Sequence, residues 1–296
     1  MSPAVSVAIP TFNRRETLRR AVESALAQTH EDLEVVVSDN ASTDGTEDLL
    51  RELGRDGRLR VVRQPVNRGM VANLDAVLRL TRGDAAMLLS DDDWLDPRCV
   101  ELALAALNGA PGRVAALGRV AYVGGDREVE AGQPAPLTAD DPARRVRDYF
   151  AAVGRDRGNT WFYALARGEL LRSLPPLRDV LGFDWLRVAE LAFCGRIATV
   201  DETLLFRELG GVSETTARNV RESRLPRLHA KVPHLVIAGQ AFADVAWRSP
   251  VYAPLGARRR LALAAACAAG VPARNARHVL FHIAPSALQR RWHARA

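Results

Sequence analysis

The sequence is nearly devoid of lysine: among 41 basic residues in a chain of 296, Lys231 is the only one that is not arginine. Cysteine is scarce too. Cys99, Cys194 and Cys267 are odd in number and far apart. They form neither a disulfide framework nor a Cys-x-x-Cys metal site, and buried thiols in a reducing compartment are the expectation. The longest uncharged apolar run, Leu261 to Pro272, is mostly alanine and short of the ~20 residues that a membrane span needs. Ahead of the strand-like segment Ala4 to Ile9 no basic region precedes an apolar stretch. The start therefore does not read as a signal peptide, and a cytoplasmic protein is expected. Low-complexity tracts and internal repeats are absent.

What remains is the composition of a globular protein, 48% hydrophobic and 26% charged, enough for one large α/β domain with or without an appendage. The net charge of +6 is compatible with nucleic acid or an anionic membrane surface. The arginines are spread along the chain and no nucleic-acid motif occurs, so no nucleic-acid partner is expected. They cluster only near the C-terminus, in Arg258-Arg259-Arg260 and from Arg274 to Arg295. That pattern predicts a solvated face or peripheral membrane contact.

The first third alternates strands and helices. Val5 to Ile9, Leu33 to Val37, Leu59 to Val62 and Ala85 to Leu89 are short apolar runs. Between them, Glu16 to Gln28, Thr46 to Leu53 and Met70 to Leu80 have helical spacing, with Thr46 as a helix cap. This rhythm predicts a mostly parallel sheet with helices on both faces, whose ligands bind beyond the carboxyl ends of the strands. Thr11, Asp39 and Asp91 to Asp93 each follow a strand directly and so share one rim. Further on, Val114 to Val123 predicts a strand, Gly124 to Asp141 a loop, Ala143 to Val153 and Leu181 to Phe193 helices, and Ile197 to Phe206 a strand with a turn at Asp201-Glu202. After Gly210-Gly211 the pattern is helical, with a soft boundary near residue 216.

The acidic run carries the strongest chemical signal. Three adjacent carboxylates repel one another, and a hard cation such as Mg2+ or Mn2+ resolves that repulsion, pairing a carboxylate or two with substrate phosphates. On extended backbone Asp91 and Asp93 would point the same way and Asp92 the opposite way. Asp96 is set apart as the cap of a helix beginning at Pro97. Asp39, at a strand end, can accept from a pyrimidine ring N–H. Pro10-Thr11-Phe12-Asn13-Arg14 offers backbone and hydroxyl groups to a base or ribose, and in Asn67-Arg68-Gly69 the arginine can face a phosphate.

Pro10 to Arg14, Ser38-Asp39-Asn40-Ala41-Ser42-Thr43-Asp44-Gly45-Thr46, Asn67-Arg68-Gly69 and Ser90-Asp91-Asp92-Asp93, in this order, resemble the N-terminal signature of the inverting glycosyltransferases of family 2, which have the GT-A fold. The resemblance is specific over residues 4 to 100, looser to about 215 and absent beyond. It implies a Rossmann-like GT-A domain with a nucleotide-sugar-binding half (1–105), an acceptor-binding half (106–215) and a helical C-terminal extension (216–296). It further implies a UDP- or dTDP-sugar donor, bound by Pro10, Thr11, Asn13, Arg14, Asp39, Asn40, Arg68, Asp91 and Asp92. Asp93, with Asp91, would hold Mg2+ or Mn2+, Asp93 being the direct ligand. The general base would be Asp184, at the start of a helix in Gly182-Phe183-Asp184-Trp185, with Asp179 as its rival. A capping role for Asp184 can coexist with catalysis. The acceptor would be a hydroxyl on a cell-envelope glycan, a lipid-linked sugar or a small molecule, with Trp161 and Trp185 on its side, where core packing is an equal alternative.

One departure stands out. Many relatives carry Arg-x-His-Gly-Gly-x-Ser near the metal, whereas here the segment is Arg207-Glu208-Leu209-Gly210-Gly211-Val212-Ser213. The metal would then rest on Asp93, donor and water, with Glu208 as a possible substitute ligand. A sugar-phosphate nucleotidyltransferase shares the sheet and metal logic, but its glycine-rich phosphate loop has no counterpart in Pro10 to Arg14. A basic membrane- or nucleic-acid-binding protein is the remaining alternative.

Overall fold

A computed structural model of the chain describes residues 4–124, 127–153, 159–208 and 228–274. Four strands, β1 (Val5–Thr11), β2 (Leu33–Asp39), β3 (Leu59–Arg63) and β4 (Ala85–Leu88), run parallel in the spatial order β3-β2-β1-β4. The helices between them are α1 (Arg15–Leu26), α2 (Thr46–Leu53) and α3 (Met70–Leu80), close to the expected spans. Alternation along β1 sets the layers. Val5, Val7 and Ile9 join a core with Leu18 and Val22 of α1 and Leu49 of α2. Ala8, pointing the other way, joins a smaller core with Leu74, Val77 and Leu78 of α3. Thr46 opens α2 but does not cap it; the Asp44 carboxylate accepts from Thr46 N at 3.1 Å and from Arg15 N at 3.0 Å, tying the starts of α1 and α2 together.

Past β4 the sheet becomes mixed. In chain order follow β5 (Trp94–Leu95), α4 (Cys99–Asn108), β6 (Arg113–Gly124), β7 (Arg127–Gly132), α5 (Pro142–Ala152), β8 (Leu165–Arg167), α6 (Gly168–Ser173), α7 (Phe183–Cys194) and β9 (Arg196–Glu208). β8 inserts between β4 and β6, antiparallel to both, while β9 lies parallel to β6 and antiparallel to β5. Two sequence expectations change here. The loop from Gly124 to Asp141 contains β7, which pairs with the end of β6. The turn at Asp201-Glu202 is instead a bulge in a continuous strand: Leu117 of β6 faces Thr199 and Arg119 faces Thr203, leaving the two acidic residues exposed.

The C-terminal part is helical as far as it is described, with α8 (Leu228–Lys231), α9 (Pro233–Ala243), a π-helical turn (Asp244–Arg248) and α10 (Ala257–Arg274). Ile237, Tyr252, Leu263 and Cys267 share one core with Val146 and Tyr149 of α5 and Leu186 and Phe193 of α7. Polar links reinforce the packing: Arg178 pairs with Asp244, and the Ser249 hydroxyl donates to buried Glu190 at 2.8 Å. Removing Arg178 would leave the buried Asp244 carboxylate without its charged partner, a destabilising loss. Cys99 and Cys267 are buried free thiols, as expected, but Cys194 is exposed. No described helix is long and apolar enough to cross a membrane. The Leu209 to Ser213 segment, the boundary near 216 and the arginines beyond 274 lie outside the described residues.

Candidate active site

The register brings the predicted rim together. Thr11 and Asp39 end β1 and β2 as paired neighbours, and Pro10 lies opposite Ser38. Beyond the strand ends two loops lock into each other. The Asn13 side-chain oxygen accepts from Thr43 N at 2.8 Å, and Asn13 N donates to the Ser42 hydroxyl at 2.9 Å. Asn13 (φ 53°) and Ala41 (φ 64°) both hold left-handed backbone, a conformation that non-glycine residues keep only where neighbours over-determine it. The Asn40 side chain accepts from Arg68 N at 2.9 Å and donates to the Asn67 side chain at 2.8 Å, drawing that segment to the rim. The Arg68 side chain itself is exposed.

Asp39 is 1% exposed; its carboxylate accepts from Ser42 N at 3.0 Å and pairs with Arg63. The sequence reading missed Arg63, although its place at the end of β3, in register with Asp39, was the available signal. It also missed Asn73 of α3, which accepts from the Ser38 hydroxyl at 2.7 Å and donates to the Thr11 carbonyl at 3.4 Å, fixing the two strand ends.

The acidic run is not extended. Asp93 N bonds back to the Ser90 carbonyl at 3.2 Å, so the three aspartates occupy a turn and fan out to separate partners. Asp91 accepts from the Thr11 hydroxyl at 2.7 Å, Asp92 lies 3.9 Å from Arg14, and Asp93 accepts from Arg207 Nε at 3.0 Å. The expectation that Asp91 and Asp93 point the same way rested on extended backbone, which the turn replaces. Burial pushes the Asp91 carboxyl up to about 7, against the pull of the Thr11 hydroxyl. Burial likewise raises Asp93 to about 6, with Arg207 opposing. Asp96 does not cap as expected: α4 begins at Cys99 with Arg98 at its N-cap and no side-chain cap, and Asp96 instead accepts from Arg98 N at 2.9 Å in the turn before the helix. Among the described residues no three His, Cys, Asp or Glu side chains converge well enough to hold a metal by themselves. Glu208, the substitute ligand considered, pairs with Arg20, whose guanidinium stacks 3.7 Å over the Trp94 ring.

Arg207 connects this turn to the second half. Its guanidinium lies 4.8 Å over the Tyr163 ring, and its charge reaches both Asp93 and Asp184. Asp184 sits in the first turn of α7, which Gly182 starts at φ +83°. A β-carbon on Gly182 would come within 2.9 Å of Ile237 in α9, so helix entry and C-terminal packing are fixed together. Burial raises the Asp184 carboxyl above its ordinary value, opposed by the Asn159 amide and by the backbone N–H groups of its own helix start. Asp179 is exposed on the preceding loop. Trp161 proves to be core: it is 2% exposed, packs edge-on to Tyr149 at 5.7 Å and donates to the Ala135 carbonyl. Trp185 is partly buried against the same core.

A doubly covered parallel sheet with loops joined over its strand ends, extended by a mixed second half, is the Rossmann-like architecture of the GT-A fold. The family model "Glycosyl transferase family 2" matches residues 6–168, more than half of the chain. The chain belongs to that family. It is similar to the chondroitin synthase of Pasteurella multocida, 38% identical over 103 residues that make up 34% of this chain and 11% of the synthase. The alignment thus spans about a tenth of that relative. Among solved structures, S. aureus TarS 1–349 in complex with UDP-GlcNAc is similar with a TM-score of 0.66 and 16% identity, covering 99% of this chain and 78% of that one. The mannosyltransferase PcManGT of Pyrobaculum calidifontis, in complex with GDP-Man and Mn2+, is similar with a TM-score of 0.56 and 21% identity, covering 93% and 76%.

Proposed function

We propose that the chain moves a single sugar from a UDP- or dTDP-sugar donor to a hydroxyl acceptor with inversion at the anomeric carbon. The observation that carries this reading is the line of groups from Thr11 and Asp39, through the Asp91–Asp93 turn, to Arg207 and Asp184. It runs from the sheet's ligand rim to a carboxylate of raised basicity on the opposite half. The TarS and PcManGT complexes, with UDP-GlcNAc and with GDP-Man and Mn2+, support a nucleotide-sugar donor.

Asp39, paired with Arg63, accepts from the base, with Pro10, Thr11 and Asn13 shaping the base and ribose pocket. Asn40 presents the loop from which Arg68 reaches toward the diphosphate, and Arg14 with Asp92 lines the near side. Asp91 and Asp93 fit a hard divalent cation: both are oxygen donors whose burial is costly without a counter-charge. Mg2+ or Mn2+ there, completed by donor phosphates and water, would offset charge on the leaving diphosphate. Arg207, held charged by the groups around it, adds positive potential on the same side. Asp184 takes the acceptor hydroxyl's proton as that oxygen bonds to the anomeric carbon and the bond to the diphosphate breaks.

In this reading residues 1–105 bind the donor and 106–215 the acceptor, and within the extension (216–296) described residues between Leu228 and Arg274 share a core with α7. Membrane contact by a cytoplasmic protein would use exposed Leu261 (51%) beside the exposed arginines Arg258 and Arg259, with Trp247 also exposed (61%). The acceptor is then a cell-envelope glycan, a lipid-linked sugar or a small molecule. A thermal-shift screen of nucleotide sugars with and without Mn2+ tests the donor assignment, since ligand binding raises the melting temperature by mass action. Stabilisation by UDP- or dTDP-sugars, enhanced by Mn2+, is expected; a flat response to every nucleotide sugar would dismiss the reading.

A further inference from the structure

Asn159 stands immediately before the 3₁₀ turn Thr160–Tyr163, and its carbonyl accepts from Phe162 N at 3.2 Å. The backbone there is fixed and the side chain is 5% exposed, yet neither its amide oxygen nor its amide nitrogen has a hydrogen-bond partner. Two neighbouring hydroxyls, Tyr149 Oη on α5 and Thr160 Oγ1, are buried without partners as well. Orphaned polar atoms in a core are costly and uncommon, so three such side chains together call for a reason.

The surroundings supply one. The Asn159 amide lies close enough to both Tyr149 and Asp184 to act on each, but is aligned for a hydrogen bond with neither. Catalytic hydrogen bonds are often long or misaligned before the substrate arrives and tighten in the complex. We propose that Asn159 is the positioning residue of Asp184, oriented in turn by the Tyr149 hydroxyl, and that the chain Tyr149–Asn159–Asp184 closes when the acceptor binds. This inference rests on the reading of Asp184 as the base.

The roles follow from donor and acceptor inventory. Burial, reinforced by the charge of Asp184, holds the Tyr149 hydroxyl protonated far above its ordinary range, so it can donate. It donates to the Asn159 oxygen, which turns the amide nitrogen toward Asp184. The N–H then donates to one carboxylate oxygen, leaving the other to take the acceptor's proton. A fixed amide both aims the carboxylate and favours its ionised form. The other groups acting on Asp184 are Arg207 of β9 and the backbone N–H groups of Asp184 and Trp185 at the start of α7.

The test uses the full chain, UDP as the binding probe, and hydrolysis of UDP-sugars with water standing in for the acceptor. Asn159→Asp, which keeps the shape but loses the N–H donor and adds a like charge, is expected to lower kcat roughly tenfold or more. UDP affinity should stay unchanged, and the acid limb of kcat/KM should move to higher pH. Asn159→Ala should behave similarly and Tyr149→Phe less strongly; if Asn159→Ala does not fold, the isosteric pair carries the test. A pH profile of Asn159→Asp that superimposes on the parent's, or a loss confined to UDP affinity, would overturn the proposal. Asp184→Asn separates the two layers. Near-normal turnover in that variant defeats the base assignment itself, whereas an inactive Asp184→Asn with an unshifted Asn159→Asp defeats only the role of Asn159.

Discussion

Replacing Asp91 with asparagine should stabilise the donor-free protein while impairing its chemistry. Asparagine keeps an oxygen to accept from the Thr11 hydroxyl, 2.7 Å away in the parent, so the local geometry survives. The folded carboxyl titrates at about 7 against an ordinary value of 3.8. A folded-state value above the unfolded one means that the folded form binds more protons, so stability is full below about pH 4 and falls until pH passes 7. Roughly three units at about 1.4 kcal/mol each give about 4 kcal/mol. Asp91 is only partly buried, and solvent screening leaves roughly half of that, about 2 kcal/mol. At pH 8 without nucleotide, Asp91→Asn should therefore melt roughly 5 °C above the parent. By pH 4.5 the gain should shrink to well under half. Differential scanning fluorimetry from pH 4.5 to pH 8.5 measures both numbers. An equal or lower melting temperature at pH 8, or a gain that does not depend on pH, would refute the argument that Asp91 is an uncompensated carboxylate awaiting a cation.

Other consequences are as direct. Arg207→Met leaves Asp93 without its charged partner and should cost about 3–5 kcal/mol in urea unfolding at pH 8, less at pH 5, where Asp93 takes up a proton. Gly182→Ala strains a left-handed position and drives a methyl against Ile237; a loss of about 1–3 kcal/mol and a fall in kcat with donor affinity retained are expected from denaturation curves and kinetics. EDTA should weaken donor binding in calorimetry, and Mn2+ should restore it; binding that is indifferent to both would remove the metal from the account. The activity of the parent should fall as pH drops through the Asp184 titration, at a higher pH than an ordinary carboxylate would give, because burial raises that group.

The N-terminal half was legible because its signals are local. Short apolar runs in β1 and β2 and helical spacing in α3 each fit inside one element, and a turn residue directly after a strand must fall on the rim. The acidic turn shows where that logic ends. Alternation on extended backbone suggested that Asp91 and Asp93 share a face, but the segment is a turn in which Thr11, Arg14 and Arg207 each engage one carboxylate, and Arg207 is 114 residues from Asp93. β5 and β8, of two and three residues, are too short to show a period and exist only through pairing with β9, β4 and β6. Asn159 gives no sequence signal, since its interest lies in what its buried side chain fails to touch.

The central claim is glycosyl transfer from a nucleotide sugar, and its most direct measurement is the identity of the phosphate product. Incubated with the nucleotide sugar that stabilises it and with Mn2+, the protein should release a nucleoside diphosphate, and Asp184→Asn should release far less while still binding that donor. Release of pyrophosphate from a nucleoside triphosphate and a sugar phosphate, with no diphosphate from any nucleotide sugar, would contradict the account and indicate nucleotidyl transfer instead.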